Sequence, residues 1–419
     1  MNRIKATYED IISIENLIAA DMIIRATNDY TYRVAIFDED WYNNIYRLHL
    51  DLKHFTYEHS GYDVFYLTGV DGKRRKIQVC KDYRDRVVQK AAIIVTKPGL
   101  ICKLVGNTYS SIPGRGAHKA IRKVKEVVKG RAVYCMPLDV YHFFDEIDQA
   151  RMVSTLDCNF KDRRITWLFG VMIRAVDNGI VLGAEDSQWH ANLFLTELDH
   201  VILQSCKPEA YFRYCDDFVL IDESPGKLER SMITIEDYLN SIKLQLKPSK
   251  RVFQLAERRR MKGESGKGAG LDFLGYVFYQ NHTDLRTSTK NRWRRRLHVL
   301  NRIPGGMEAS REDIATRGAL IGLLKHCDSR HLLKKWKNEY PNYFERLGRR
   351  EAAKIAAAEQ QKKELAAILE RTKRTGEPGG RERTVDSRLR PSNMATGRDI
   401  RREALPGSVS STIEGAGIN

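Results

Sequence analysis

Residues 210–223 read AYFRYCDDFVLIDE, two apolar runs interrupted by a pair of adjacent aspartates. The runs 210–214 and 218–221 suit two neighbouring strands, so the spacing predicts a hairpin with Asp216 and Asp217 on its tight connection. Two like charges held side by side on a half-buried hairpin are costly unless something offsets them. A divalent cation is the natural offset. A plain turn is the competing reading, because aspartate favours turns on its own account.

A third carboxylate stands upstream in a similar setting. Leu138-Asp139-Val140-Tyr141-His142-Phe143-Phe144 places an aspartate at the end of an apolar strand, just before a helix. Alone, Asp139 reads equally well as a helix cap. If its strand lies beside the 210–221 hairpin, Asp139 and Asp216 converge on a pair of metal ions. Oxygen ligands of this kind suit Mg2+, with Mn2+ as an alternative. Two such ions about 4 Å apart stabilise the attacking and leaving oxygens of an in-line displacement, which is the chemistry of nucleotidyl transfer.

Charge points the same way. The 419 residues carry 71 Lys plus Arg against 54 Asp plus Glu, a formal charge of +17. That excess favours a polyphosphate partner, whose neutralised phosphates release counterions. An anionic membrane surface and a merely solvated surface are the rival readings. The seven cysteines are odd in number and form no C-x-x-C pair, so the chain reads as reduced and cytoplasmic rather than disulfide-stapled. No stretch of about 20 uncharged apolar residues occurs, so a membrane span is excluded, and acidic residues interrupt the N-terminal apolar segment at helical spacing.

Along the chain, residues 7–26 predict an amphipathic helix, with Thr7 and Asp10 as a capping pair and Ile11, Ile14, Leu17 and Ile18 as its stripe. Residues 63–80 predict a hairpin turning at Asp71-Gly72. A helix over 84–105 is expected to break at Pro98-Gly99. Further helices are expected at 186–205 and 229–245, a strand at 270–280, and basic helices to about 348. Residues 350–372 read as a solvated helix, and the Gly-, Pro-, Ser- and Arg-rich remainder as disordered.

Taken together, these segments resemble a reverse transcriptase, over roughly residues 50–345 and in the family's order. The resemblance implies an α+β right-hand polymerase with an antiparallel-sheet palm. The expected divisions are an N-terminal helical extension (1–50), fingers (51–138), palm (139–280), a helical basic thumb (281–348) and a charged helix with tail (349–419). Asp139, Asp216 and Asp217 match the catalytic, metal-binding aspartates, with Val140 beside them as a further metal ligand and Tyr214 opening the Y-x-D-D box. Phe144 matches the steric gate that excludes a ribose 2′-hydroxyl, although core packing explains it too. Arg75, then Lys73, match the fingers cations that hold the incoming triphosphate. The segment 246–250 resembles the lysine-bearing segment after the box, with Lys250 the better match. Leu274 and Gly275 lie in a primer-grip-like hairpin. Arg86 and Arg115 fall in segments that touch the template, and Arg292 and Arg295 on a thumb helix that faces the duplex or solvent.

Within the family, Leu182-Gly183-Ala184-Glu185-Asp186-Ser187-Gln188 resembles the polymerases of diversity-generating retroelements. Most reverse transcriptases have Gln where this chain has Leu182; Leu182, Gly183 and Gln188 are then nucleotide-site residues. Ala184-Glu185-Asp186 departs from that group's usual triplet and puts two acidic residues where a template strand is expected. Loss of the glutamine removes a polar contact and narrows the gap between right and wrong bases. The resemblance thus implies cDNA synthesis from a template RNA, error-prone at template adenines. It also implies deoxynucleoside triphosphates, an RNA/DNA hybrid and a small basic accessory protein as partners. Another bacterial reverse transcriptase (retron, defence-associated or group II intron-like) and a non-catalytic RNA-binding scaffold remain the alternatives. The Gly-rich strings at 114–118 and 263–268 lack Walker spacing. His326, Cys327 and His331 lack a fourth ligand for zinc.

Overall fold

The computed structural model describes residues 3–27, 30–68, 74–249, 251–257 and 268–374. Two compact units divide the chain, Met1–Ala353 and Lys354–Asn419.

The first unit opens with α1 (Tyr8–Ile12), α2 (Ile14–Thr27), α3 (Tyr32–Asp38) and α4 (Trp41–Lys53). The single helix expected over 7–26 is two, because Ser13 adopts an extended ψ of 141° and caps the first. Thr7 still caps through the Asp10 amide, and Ile11 and Leu17 are fully buried. Strands β1 (Tyr62–Thr68) and β2 (Arg74–Cys80) form the expected antiparallel hairpin, whose turn at Asp71-Gly72 lies outside the described residues. Helix α5 (Tyr83–Lys103) runs straight through Pro98. An internal proline costs about 3 kcal/mol, yet the buried face from Tyr83 to Leu100 continues across it, and that burial outweighs the lost bond. Gly99 serves packing instead of a break, since a Cβ there would lie 2.4 Å from Ile4 Cγ2.

Helix α6 (Ala117–Val128) leads into β3 (Tyr134–Asp139), followed by α7 (Phe143–Glu146), α8 (Gln149–Asn159) and α9 (Arg163–Ile173). The helix expected at 186–205 is α10 (Glu185–Phe194), α11 (Thr196–Val201) and a π-helical turn (Ile202–Cys206). Strands β4 (Ala210–Tyr214) and β5 (Asp217–Asp222) precede α12 (Pro225–Ser241), which Ser224 caps with Pro225 at its first position. With β6 (Phe253–Gln254) they form a four-stranded antiparallel sheet in the order β4-β5-β3-β6. The strand expected at 270–280 is itself a hairpin. Strands β7 (Leu271–Phe273) and β8 (Tyr276–Phe278) turn at Leu274-Gly275, both at positive φ, and β9 (Thr283–Leu285) completes a second sheet.

The strand period of two divides the four-stranded sheet's faces. Met136, Leu138, Phe218 and Leu220 face the large core shared with α5 and α8–α12. Cys135, Val219 and Ile221 face a second core with α6 and β7–β9. Helices α13 (Thr287–Leu300), α14 (Arg311–Leu324), α15 (Arg330–Glu339) and α16 (Pro341–Arg374) pack around Leu297, Leu320, Trp336 and Tyr343. Inside this bundle Arg346 is fully buried against Asp313. The boundary expected at 349 falls inside α16.

The second unit's described part is the remainder of α16, whose residues 354–364 are exposed, as a solvated helix requires. The tail from 375 lies outside the described residues. Among the described residues no helix is long and apolar enough to cross a membrane.

Candidate active site

Strand pairing brings the three carboxylates together. Asp139 pairs directly with Asp217 across β3 and β5, and Tyr214 closes the β4–β5 hairpin against Asp217. Directly opposed residues of an antiparallel pair project from the same face. Asp139 and Asp217 therefore share the face that carries Cys135 and Ile221 farther along the sheet. Asp216 sits in the two-residue turn, and its carbonyl accepts from the Val140 amide at 3.3 Å.

The turn itself is held from the opposite face. Cys215 has φ +60°, a conformation that disfavours residues with a Cβ. Arg213, fully buried, donates to the Cys215 carbonyl at 3.1 Å. The same guanidinium bonds both oxygens of buried Asp199, the Asn192 amide oxygen and carbonyl, and the Thr108 hydroxyl. Tyr211 donates to Asp199 at 2.6 Å. One cation thus ties the turn to α10, α11 and the loop before α6. Asp199 lies in a segment typical of the resembled group, and an arginine on the inward parity of an apolar strand is the sequence signal for its partner Arg213.

A second lysine candidate also emerges. Residues 245–247 pair antiparallel with 139–141: Tyr141 donates to the Gln245 carbonyl at 2.7 Å, and Lys247 to that of Asp139 at 2.8 Å. This register brings Lys247 Nζ to 2.5 Å from Asp139 Oδ2. Lys250, the better match in the resemblance, lies outside the described residues, as does Lys73. Arg75 is in β2 opposite Leu67.

The electrostatics are those of a cation site. Burial, then the Asp139 charge, raises the Asp216 carboxyl above its ordinary value. Burial, then Asp139 and Asp216, push Asp217 up to about 7. Asp139 Oδ1 is buried with no hydrogen-bond partner. Orphaned, mutually repelling oxygen donors fit a hard divalent ion. Among the described residues no three His, Cys, Asp or Glu side chains form a ready-made cage. Mg2+ commonly completes its sphere with water and substrate phosphate, so this donor set still suits it.

Phe143 and Phe144 divide the two readings of the apparent gate. Phe143 is in the core at 2% exposure, and Phe144 is half-buried beside it. Gly179 closes in on Phe144: a Cβ there would meet the Phe144 carbonyl at 2.1 Å. Gln149 Nε2 holds the same loop by donating to the Ile173, Val176 and Gly179 carbonyls. Leu182 is 44% exposed, Gly183 has φ +106°, and the Leu182 amide donates to Gln78 at 3.4 Å. Gln188 is half-buried and accepts from the Ser111 hydroxyl at 2.5 Å. The acidic departure is accounted for locally. Glu185 pairs with Lys90 of α5, and Asp186 is buried in the first turn of α10, its carboxyl pushed up to about 6 by burial.

The remaining candidates separate. Arg115 is committed elsewhere, donating to the Val105 and Thr108 carbonyls, so its guanidinium clamps a loop rather than standing free for a template. Arg86 borders a cavity of about 340 Å³ with Gln78, Lys90, Gly183 and Glu185. Tyr214 and Leu274 pack half-buried on the second core, and Arg292 and Arg295 are exposed on α13.

An antiparallel sheet with its acidic turn, flanked by a basic hairpin and a helical bundle, is a polymerase fold. Residues 69–278, half of the chain, match the family described as reverse transcriptase (RNA-dependent DNA polymerase), and the chain belongs to that family. Reverse transcriptases generally use divalent metal ions. No curated protein sequence matches the chain. Among solved structures it is similar to apo telomerase from Candida tropicalis, with a TM-score of 0.42 and 10% identity over 58% of this chain and 54% of that one. It is also similar to telomerase from Candida albicans in complex with the TWJ fragment of telomeric RNA, at 0.42 and 10% over 69% and 58%. The chain spans little more than half the length of these telomerase chains.

Proposed function

We propose that this chain is an RNA-directed DNA polymerase that extends a 3′-hydroxyl with deoxynucleoside triphosphates along an RNA template. The observation that carries this reading is the direct register of Asp139 with Asp217, with Asp216 in the adjoining turn. In it the four-stranded sheet is the palm, β1–β2 belong to the fingers, and α13–α15 form the thumb. Asp139, Asp216 and Asp217, with Val140 beside them, are the residues that would hold two Mg2+ ions, whose chemistry would be Lewis-acid activation of the 3′-oxygen and charge neutralisation at the leaving pyrophosphate. Arg75 and Lys73 grip the triphosphate, and Lys247 or Lys250 supplies a further cation. Phe144, braced by Gly179, bars a 2′-hydroxyl. Leu274 and Gly275 seat the primer end, while Arg292 and Arg295 meet backbone phosphates without reading sequence. An RNA-binding scaffold has no use for three repelling carboxylates, and this disfavours that alternative.

The finer reading is a polymerase of the diversity-generating retroelement group, acting in the cytoplasm with a template RNA and a small basic accessory protein. Exposed, apolar Leu182 supports low fidelity, since it offers no hydrogen bond to nucleotide or template. Leu182→Gln is expected to cut misincorporation at template adenines about tenfold, equivalent to about 1.4 kcal/mol of restored discrimination. Sequencing of cDNA made by both enzymes checks this, and an unchanged error spectrum sinks the account. The broader proposal is tested by primer extension on a defined RNA template with Mg2+ or Mn2+. Template-dependent incorporation of deoxynucleotides is the expected result. None with either metal, with the accessory protein present or absent, overturns it.

A further inference from the structure

A basic groove lies beside Lys125 of α6, a position outside the stripe Ala120, Ile121, Val124 and Val128 that packs on the second core. Its volume is about 830 Å³, and its lining includes Lys125, Lys325, His331, Ile321, Leu324 and Leu333. None of these belongs to the acidic site or to the residues proposed above to touch substrate. Next in sequence to Lys325, His326 packs against His118 of α6, with ring centroids 4.4 Å apart. Within the lining, Lys125 reaches Asp328 at 3.4 Å. Partial burial, then the charges of His118, Arg122, Lys325 and Lys125, hold His326 below the ordinary histidine value, which shows how closely these cations converge.

Little acid balances them. Asp328, the one carboxylate in the groove's lining, is also engaged by the Thr283 amide at 2.9 Å. Glu126 is paired with Lys123 on the same helix. Arg122 and Lys325 are exposed. Holding several cations together around a single shared carboxylate costs self-repulsion, which an extended polyanion relieves by displacing counterions. Ile321, Leu324 and Leu333 of the lining suit the apolar faces of ribose between phosphates, and the His331 imidazole in the lining offers a ring face and an N–H donor.

We propose that the groove between α6 and α14–α15 binds the ribose-phosphate backbone of RNA at a second site, separate from the catalytic cleft. It anchors RNA that is not being copied, so that the template stays attached as the cleft advances. This rests on the chain acting on RNA but not on its catalytic site: a failed primer-extension assay leaves the groove's binding unaffected.

The test uses the full chain carrying Arg122→Gln and Lys325→Gln, two exposed changes that leave the core intact. A labelled 40-base-pair RNA hairpin is titrated in the presence of a saturating short RNA/DNA primer–template that fills the cleft. The double variant is expected to bind the hairpin about tenfold more weakly. The salt dependence of log K is expected to fall in slope by about 1.5, since each phosphate contact contributes about 0.7–0.9. Extension of the short primer–template should stay within twofold, and the thermal midpoint should not move. Unchanged hairpin affinity and slope overturn the proposal. So does equal weakening of the short primer–template, which assigns the residues to the cleft, or binding to phosphatidylserine vesicles without binding to RNA, which assigns the surface to a membrane.

Discussion

Asp216→Ala is expected to lower primer extension by about three orders of magnitude or more while leaving the protein at least as stable as the wild type. Activity falls because preorganised charge at the reacting oxygens supplies most of the acceleration in phosphoryl-type transfer. The stability side follows from burial. Burial and the Asp139 charge raise the Asp216 carboxyl, so its ionised form is unfavourable in the fold. Removing it relieves that repulsion. The turn keeps its backbone bond, because the Asp216 carbonyl, not its side chain, accepts from Val140. Single-turnover extension and thermal melting, read together, separate a chemical role from a structural one. Activity within tenfold of wild type sinks the site assignment, and a collapse in thermal midpoint shows that the aspartate is structural.

Arg213→Met is expected to do the reverse in stability. The Arg213–Asp199 pair has no solvent exposure on either side chain. Removing the cation strands the Asp199 carboxylate in a dry interior with only the neutral Tyr211 and Thr108 hydroxyls as its remaining side-chain donors. Breaking such a pair typically costs about 3–5 kcal/mol. The Cys215 carbonyl also loses its donor, so the strained turn relaxes and the aspartates lose register with Asp139. Lysine is no substitute, since its single ammonium cannot reproduce the planar fork that reaches Asp199, Asn192, Thr108 and Cys215 together. Urea unfolding measures the first effect, and extension by the still-folded fraction measures the second. Stability within about 1 kcal/mol of wild type argues that the network is dispensable.

Much of the site was readable before any coordinates. Two apolar runs around Asp216-Asp217 specified a hairpin, and an apolar run ending at Asp139 specified a strand, because alternation and strand length are local properties. The basic hairpin and the helices at either end were legible for the same reason, and the family was legible through the resemblance of the Asp139 segment and the Y-x-D-D box. Phe143 and Phe144 could not be separated by sequence, since adjacent aromatics differ only in which one the core accepts. Lys247 could not be placed beside Asp139 from the sequence, because a resemblance says nothing about the short antiparallel bridge from Leu246 to Val140. The expected break at Pro98 failed because helix propensity is a small local preference, and a long buried face overrode it.

What the chain determined alone was the kind of chemistry on offer: carboxylates at strand ends, cations on hairpins and helices, and an apolar residue at Leu182. What the tertiary structure decided was which of these groups meet. The Asp139–Asp217 register, the Arg213 latch beneath the turn, Gly179 against Phe144 and the cations gathered beside α6 all join residues far apart in sequence. Long-range pairing is set by the competition of whole faces for burial, which no single segment encodes.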